Sequence, residues 1–77
     1  MSDQNDTSAL MLSLVVNGQA RTVVAFSTLA DLIGELGHAP EGIATALNSE
    51  FVARSRRADC VLRDGDSVTC FQAIVGG

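Results

Sequence analysis

The chemistry-bearing residues of this chain stand apart from one another, and the most unusual of them come last. Phe71-Gln72-Ala73-Ile74-Val75 is an apolar run that leads into Gly76-Gly77. A diglycine tail leaves the Gly77 carboxylate with no β-carbon near it, and such a tail is thin enough to thread a narrow channel in another protein. The chemistry this permits takes place on the backbone carboxylate itself. The plain alternative is an ordinary frayed terminus.

The remaining candidates assemble into nothing comparable. Cys60 and Cys70 are too few for a disulfide framework or a four-cysteine iron–sulfur site. No Cys or His pair has zinc-ligand spacing, so no metal site is expected. Both thiols read as small, partly buried hydrophobes. His38 has no neighbour in sequence for nucleophilic or metal chemistry and reads as a solvated loop histidine. Asp64-Gly65-Asp66 lacks the other ligands of a calcium loop. It reads as a tight turn, with Gly65 at positive φ and the aspartates bonding nearby amides. Arg54-Ser55-Arg56-Arg57 is a basic cluster that is either a solvated loop or a docking contact for an enzyme or a phosphate. No nucleophile–base pair is evident, so an enzyme is not expected.

The elements that must hold the tail are legible from periodicity. Residues 1–10 are polar and read as a disordered extension. Met11 to Val16 alternates as a half-buried strand, Asn17-Gly18 is a hairpin turn, and Gln19 to Ala25 returns. Leu29, Leu32, Ile33 and Leu36 form the apolar stripe of one helix. Thr28 and Asp31 have the spacing of a capping box, Gly37 ends the helix, and Pro40 prevents its resumption. Gly34 inside it costs up to about 1 kcal/mol relative to Ala, and close approach of helix to sheet would account for it. Ile43 to Asn48 and Phe51 to Ala53 are two further strands joined by a turn. Ser67 to Ile74 is the last. The order β-β-α-β-β predicts an α+β, β-grasp (ubiquitin-like) domain over residues 11–75, with residues 76–77 as tail. Its first and last strands would pair in parallel at the centre of a mixed sheet, with one helix packed across it.

Composition narrows the partners. With 77 residues and 47% of them apolar, the chain is one small domain with enough material for a core. Its net charge of −4, with five arginines and no lysine, argues against nucleic acid. No apolar run approaches the ~20 residues that span a membrane. The first residues lack the features of a signal peptide, so a cytoplasmic location is expected.

Taken together, Val15-Val16-Asn17-Gly18-Gln19, the helix from Leu29 to Leu36, Ala46-Leu47-Asn48 with Val52-Ala53-Arg54-Ser55, Asp64-Gly65-Asp66 and the ending Phe71 to Gly77 resemble the thiamine-pathway sulfur carriers, the ThiS family. The resemblance covers residues 11–77. Two departures are Ala53, where many relatives have proline, and the lack of an aromatic near Ala58, where relatives often have tryptophan. The resemblance implies that a ubiquitin-activating-type adenylyltransferase uses ATP to adenylate Gly77. A persulfide from a cysteine desulfurase route then replaces AMP, and reduction leaves a thiocarboxylate that thiazole synthase consumes. The carrier binds no cofactor. Gly76 keeps the tail thin. Phe71, Ile74, Val75 and Arg54 are the candidate docking residues, with core packing as the alternative for Phe71. Two other readings share these features: the small subunit of molybdopterin synthase or another metabolite sulfur carrier, and a ubiquitin-like protein modifier.

Overall fold

The computed structural model describes residues 10–72. Strand β1 (Met11–Val16) turns at Asn17-Gly18 and pairs antiparallel with β2 (Gln19–Val24). Helix α1 (Leu29–Glu35) follows, then a 3-10 turn (Pro40–Gly42), β3 (Ile43–Leu47) and β4 (Glu50–Val52). A six-residue 3-10 helix (Arg54–Asp59) leads to β5 (Ser67–Gln72). The sheet order is β2-β1-β5-β3-β4, and β5 runs parallel to β1 and antiparallel to β3. This is the mixed sheet and single helix of the β-grasp fold, with the last strand at its centre.

The hairpin register fixes which side chains face inward. Leu12 pairs with Val23, and Leu14 and Val16 share that face. The helix contributes Leu29, Leu32 and Ile33 to the same core, which also takes in Ile43, Leu62, Val68 and Cys70. Full burial of each large aliphatic is worth about 1.5–3 kcal/mol, so the stripe on α1 supplies the stability that seven residues of helix lack alone. Both ends of α1 are closed. The Asp31 amide donates to Thr28 Oγ1 at 3.1 Å, and the Thr28 amide donates to Asp31 Oδ2 at 2.9 Å. At the other end Gly37 has φ +82, the His38 amide donates to the Ile33 carbonyl and the Gly37 amide donates to that of Gly34. That pair of bonds is the Schellman closure.

Several details depart from the expected elements. Leu10 already pairs with the hairpin, its carbonyl accepting from the Ala25 amide at 2.7 Å. The β3–β4 turn is only two residues long. Asn48 and Ser49 both adopt positive φ, 50 and 74, so the third strand ends at Leu47 and Glu50 already pairs with it. Residues 54–57 are not a loop but the start of a 3-10 helix. Close packing on the sheet does not explain Gly34, because a β-carbon there would meet nothing within 4 Å. Phe26 has φ +72 and is 83% exposed, a bulky side chain in the region that favours glycine.

Two stability changes follow from these positions. Gly34→Ala is expected to raise unfolding free energy by about 0.5–1 kcal/mol, because helix propensity improves with no clash. Phe26→Gly is expected to raise it by about 1 kcal/mol through relief of the left-handed backbone, little burial being lost. Urea denaturation at constant m-value measures both. A loss of stability in either variant would show that its neighbours hold more than the backbone reveals.

Candidate functional site

The site is built on β5. This strand has a neighbour on each side, and its last described pair joins Gln72 to Ile43. Ile74, Val75, Gly76 and Gly77 lie outside the described residues. What can be described is the root of the tail. The parallel ladder to β1 contains only the pairs Val15–Ser67 and Val16–Val68. Asn17 prolongs it past the end of β1: its amide donates to the Val68 carbonyl at 2.9 Å, and its Oδ1 accepts from the Cys70 amide at 2.8 Å. Asn48 does the same at the start of β5, where its Oδ1 accepts from the Ser67 amide at 2.9 Å and its amide donates to the Ser67 carbonyl at 2.7 Å.

The Asp64-Gly65-Asp66 turn completes this support. Gly65 has φ +89, Asp64 Oδ1 accepts from the Ser13 amide at 2.7 Å, and Asp66 accepts from the Arg63 amide and from Asn48 Nδ2. The two carboxylates are therefore engaged in turn geometry. Among the described residues, no group of three or more His, Cys, Asp or Glu side chains comes together to hold a metal.

Phe71 lies on the outer face of the sheet, paired with Ala44 and 49% exposed, while Val68 and Cys70 of the same strand point into the core. Phe51 sits on the adjacent rung opposite Ala46 and is 70% exposed. Met11, Val15 and Val24 continue the apolar surface on the other side of β5. The outward positions between them are Ser, Thr or Ala, and none is charged. Sequence reasoning found Phe71 but not this continuous face. The alternation of each strand carried the signal, and the register was needed to join the strands.

On the helix side, a groove of about 410 Å³ opens beside the tail root and is lined by Asn17, His38, Cys70, Phe71 and Gln72 among others. Burial pushes the Cys70 thiol up, against an opposing pull from Arg57. Burial also raises the Cys60 thiol, and the Asp66 carboxylate adds to that shift. Both are held as thiols at neutral pH, the reverse of an activated nucleophile.

The basic cluster divides. Arg54 is exposed, but Arg57 is only 3% exposed. Its Nε donates to Thr45 Oγ1 at 3.0 Å, Nη1 donates to the Pro40 carbonyl at 2.9 Å, and Nη2 donates to the Ile43 carbonyl. Thr45 in turn donates to the Val52 carbonyl at 3.0 Å. Arg57 thus occupies the interior, near the position where the expected aromatic is missing, and ties the 3-10 turn at Pro40 to β3. A solvated-loop reading fails for it because three acceptors converge on one guanidinium.

With this geometry in hand, likeness to known proteins can be stated. The sequence model of the ThiS family matches residues 14–77. The chain is 33% identical over 66 residues to the sulfur carrier protein ThiS of Escherichia coli (strain K12), covering 86% of this chain and 100% of that protein. It is 36% identical over 66 residues to a segment making up 20% of a thiazole synthase from Paramagnetospirillum magneticum. The crystal structure of the thiamine biosynthesis protein ThiS from Geobacter metallireducens superposes with a TM-score of 0.74 at 30% identity, covering 86% of this chain and 100% of that one.

The two arginines should separate cleanly in a stability assay. Arg57→Lys is expected to lower unfolding free energy by roughly 2–4 kcal/mol, because an ammonium cannot serve all three acceptors and leaves buried groups unpaired. Arg54→Ala should change it by less than about 0.5 kcal/mol. Equal effects in urea denaturation would contradict the assigned roles.

Proposed function

The chain belongs to the ThiS family, and from that membership we propose that it is a sulfur carrier for thiamine biosynthesis whose cargo is held on Gly77. The observation that carries this reading is that the family match runs through Gly76 and Gly77. The central strand β5 is described as far as Gln72, five residues before Gly77 in sequence.

The chemistry follows from the weakness of a carboxylate as an electrophile. A ubiquitin-activating-type adenylyltransferase transfers AMP from ATP to the Gly77 carboxylate and releases pyrophosphate, which creates a good leaving group. The terminal sulfur of a persulfide, supplied by a cysteine desulfurase route, attacks the acyl carbon and displaces AMP. A thiol then attacks the outer sulfur of the resulting acyl–sulfur–sulfur bond and ends as a disulfide, which supplies the two electrons and frees the carrier as a thiocarboxylate. Thiazole synthase then takes that sulfur. The similarity of this chain to a segment of a thiazole synthase supports that partnership. The carrier supplies no acid or base in this scheme. It supplies a tail narrow enough for the active sites of its partners and a surface that positions it there.

Phe71 and the uncharged outer face are the docking surface in this reading, with Ile74 and Val75 carrying it towards the tail. Half-exposed aromatics on a rigid sheet are efficient anchors, because little side-chain entropy is lost on binding. Arg54 adds a charged contact at a distance from that face.

Intact mass spectrometry of the full chain with an adenylyltransferase, ATP and a sulfur donor tests the proposal. The expected gain is the exchange of one oxygen for sulfur, mapped to Gly77. Gly76→Val should abolish the gain with the fold unchanged by circular dichroism, and residues appended after Gly77 should do the same. Normal sulfur loading of either variant would refute a role for the tail.

A further inference from the structure

Arg57 has a feature that its structural role does not use up. A guanidinium carries five N–H donors, and the bonds to Thr45, Pro40 and Ile43 take three of them. Every one of those acceptors is neutral. A cation at 3% exposure with no carboxylate among its hydrogen-bond partners in the described residues carries a desolvation cost that carbonyl dipoles offset only in part. The same guanidinium lines two clefts, of about 220 and 90 Å³, both of which are also lined by Pro40 and Arg54. The smaller is floored by Ala30, Ile33 and Ala58 of α1 and the long 3-10 helix.

We propose that this cleft binds a phosphate group, with Arg57 as the buried cation and Arg54 as the exposed one at its mouth. Two guanidinium groups on one cleft suit a phosphate better than a carboxylate. A single arginine fork already fills both oxygens of a carboxylate, whereas a tetrahedral phosphate offers acceptors to two. The smaller cleft, at about 90 Å³, admits a phosphate group and little more. Glu41 lines the larger cleft and opposes the anion. The rest of the chain repels anions too, because its net charge is −4. A saturable response to phosphate therefore reports a local site and not general attraction. The inference involves neither the tail nor the outer sheet face, and it shares only Arg54 with the docking surface of the sulfur-carrier reading.

The test is a titration of the full chain with inorganic phosphate at constant ionic strength, following the side-chain Nε–Hε resonance of Arg57 by NMR. A saturable shift is expected. Arg54→Ala leaves the fold intact and should weaken the binding roughly tenfold, the loss of one charge-assisted contact. Glu41→Gln should tighten it by about twofold, as removal of an exposed like charge does. Acetate in place of phosphate should bind more weakly. No saturable shift, an unaltered midpoint in Arg54→Ala, or equal binding of acetate and phosphate would each overturn the assignment.

Discussion

Val15 and Val16 pair in parallel with Ser67 and Val68, and β1 then has to turn, because the hairpin begins at Asn17. Left there, the central strand would lose its β1-side support after two rungs. The Asn17 side chain prevents this by standing in for a strand residue and accepting from the Cys70 amide. On the other side β3 pairs with β5 from Val68 as far as Gln72. Everything else in the structure depends on this doubly held strand. The hairpin has to lie on one flank and the β3–β4 pair on the other, while the helix covers one face to seal the core beneath Val68 and Cys70. β5, the last described strand, therefore has support on both flanks.

The two faces of the sheet then take different work. The buried inward positions are occupied by aliphatic side chains, Cys70 and the single hydroxyl of Thr45, which is satisfied by Arg57 and Val52, while Gln19, Arg21, Glu50 and Gln72 stand at the exposed margins of that face. Outward positions hold Phe51, Phe71, Met11, Val15 and Val24 among small or hydroxylated residues, with no charge between them. Isolated exposed apolar residues need no explanation, but a face of several strands without a charge does. Of the chain's nine acidic residues, the seven in the described part all lie off this face, which leaves a surface that water hydrates poorly and a partner can cover cheaply.

Much of this was legible in the sequence because it is local. The strand alternation, the Asn-Gly hairpin, the Thr28–Asp31 capping box and the glycine at Gly37 are decided within a few residues, and they appear where the pattern puts them. The β-grasp topology followed from the order of elements together with the family resemblance. What periodicity could not show was long-range. Asn17 and Asn48 read as turn residues, and only the fold reveals that their side chains bond to amides 53 and 19 residues away. Arg57 read as part of a solvated basic run because charge normally signals exposure. Its burial is set by three acceptors that converge from other elements. Phe26 gave no local sign at all of its positive φ.

The placement of the tail on a central strand bears on energetics as well as geometry. A carrier must be bound and released by successive partners, so its affinity for each has to stay modest while its orientation stays accurate. A frayed edge strand would make each partner order the tail's base at every encounter, at about 1–2 kcal/mol per residue of backbone. The backbone of β5 has already lost that freedom during folding, held on both sides as far as Cys70 and by β3 at Phe71 and Gln72, so the binding energy of the outer face need not be spent on it. On this argument the core, the two asparagine side chains and the buried arginine serve a carrier without touching its cargo, because they fix β5 and the strands beside it in place.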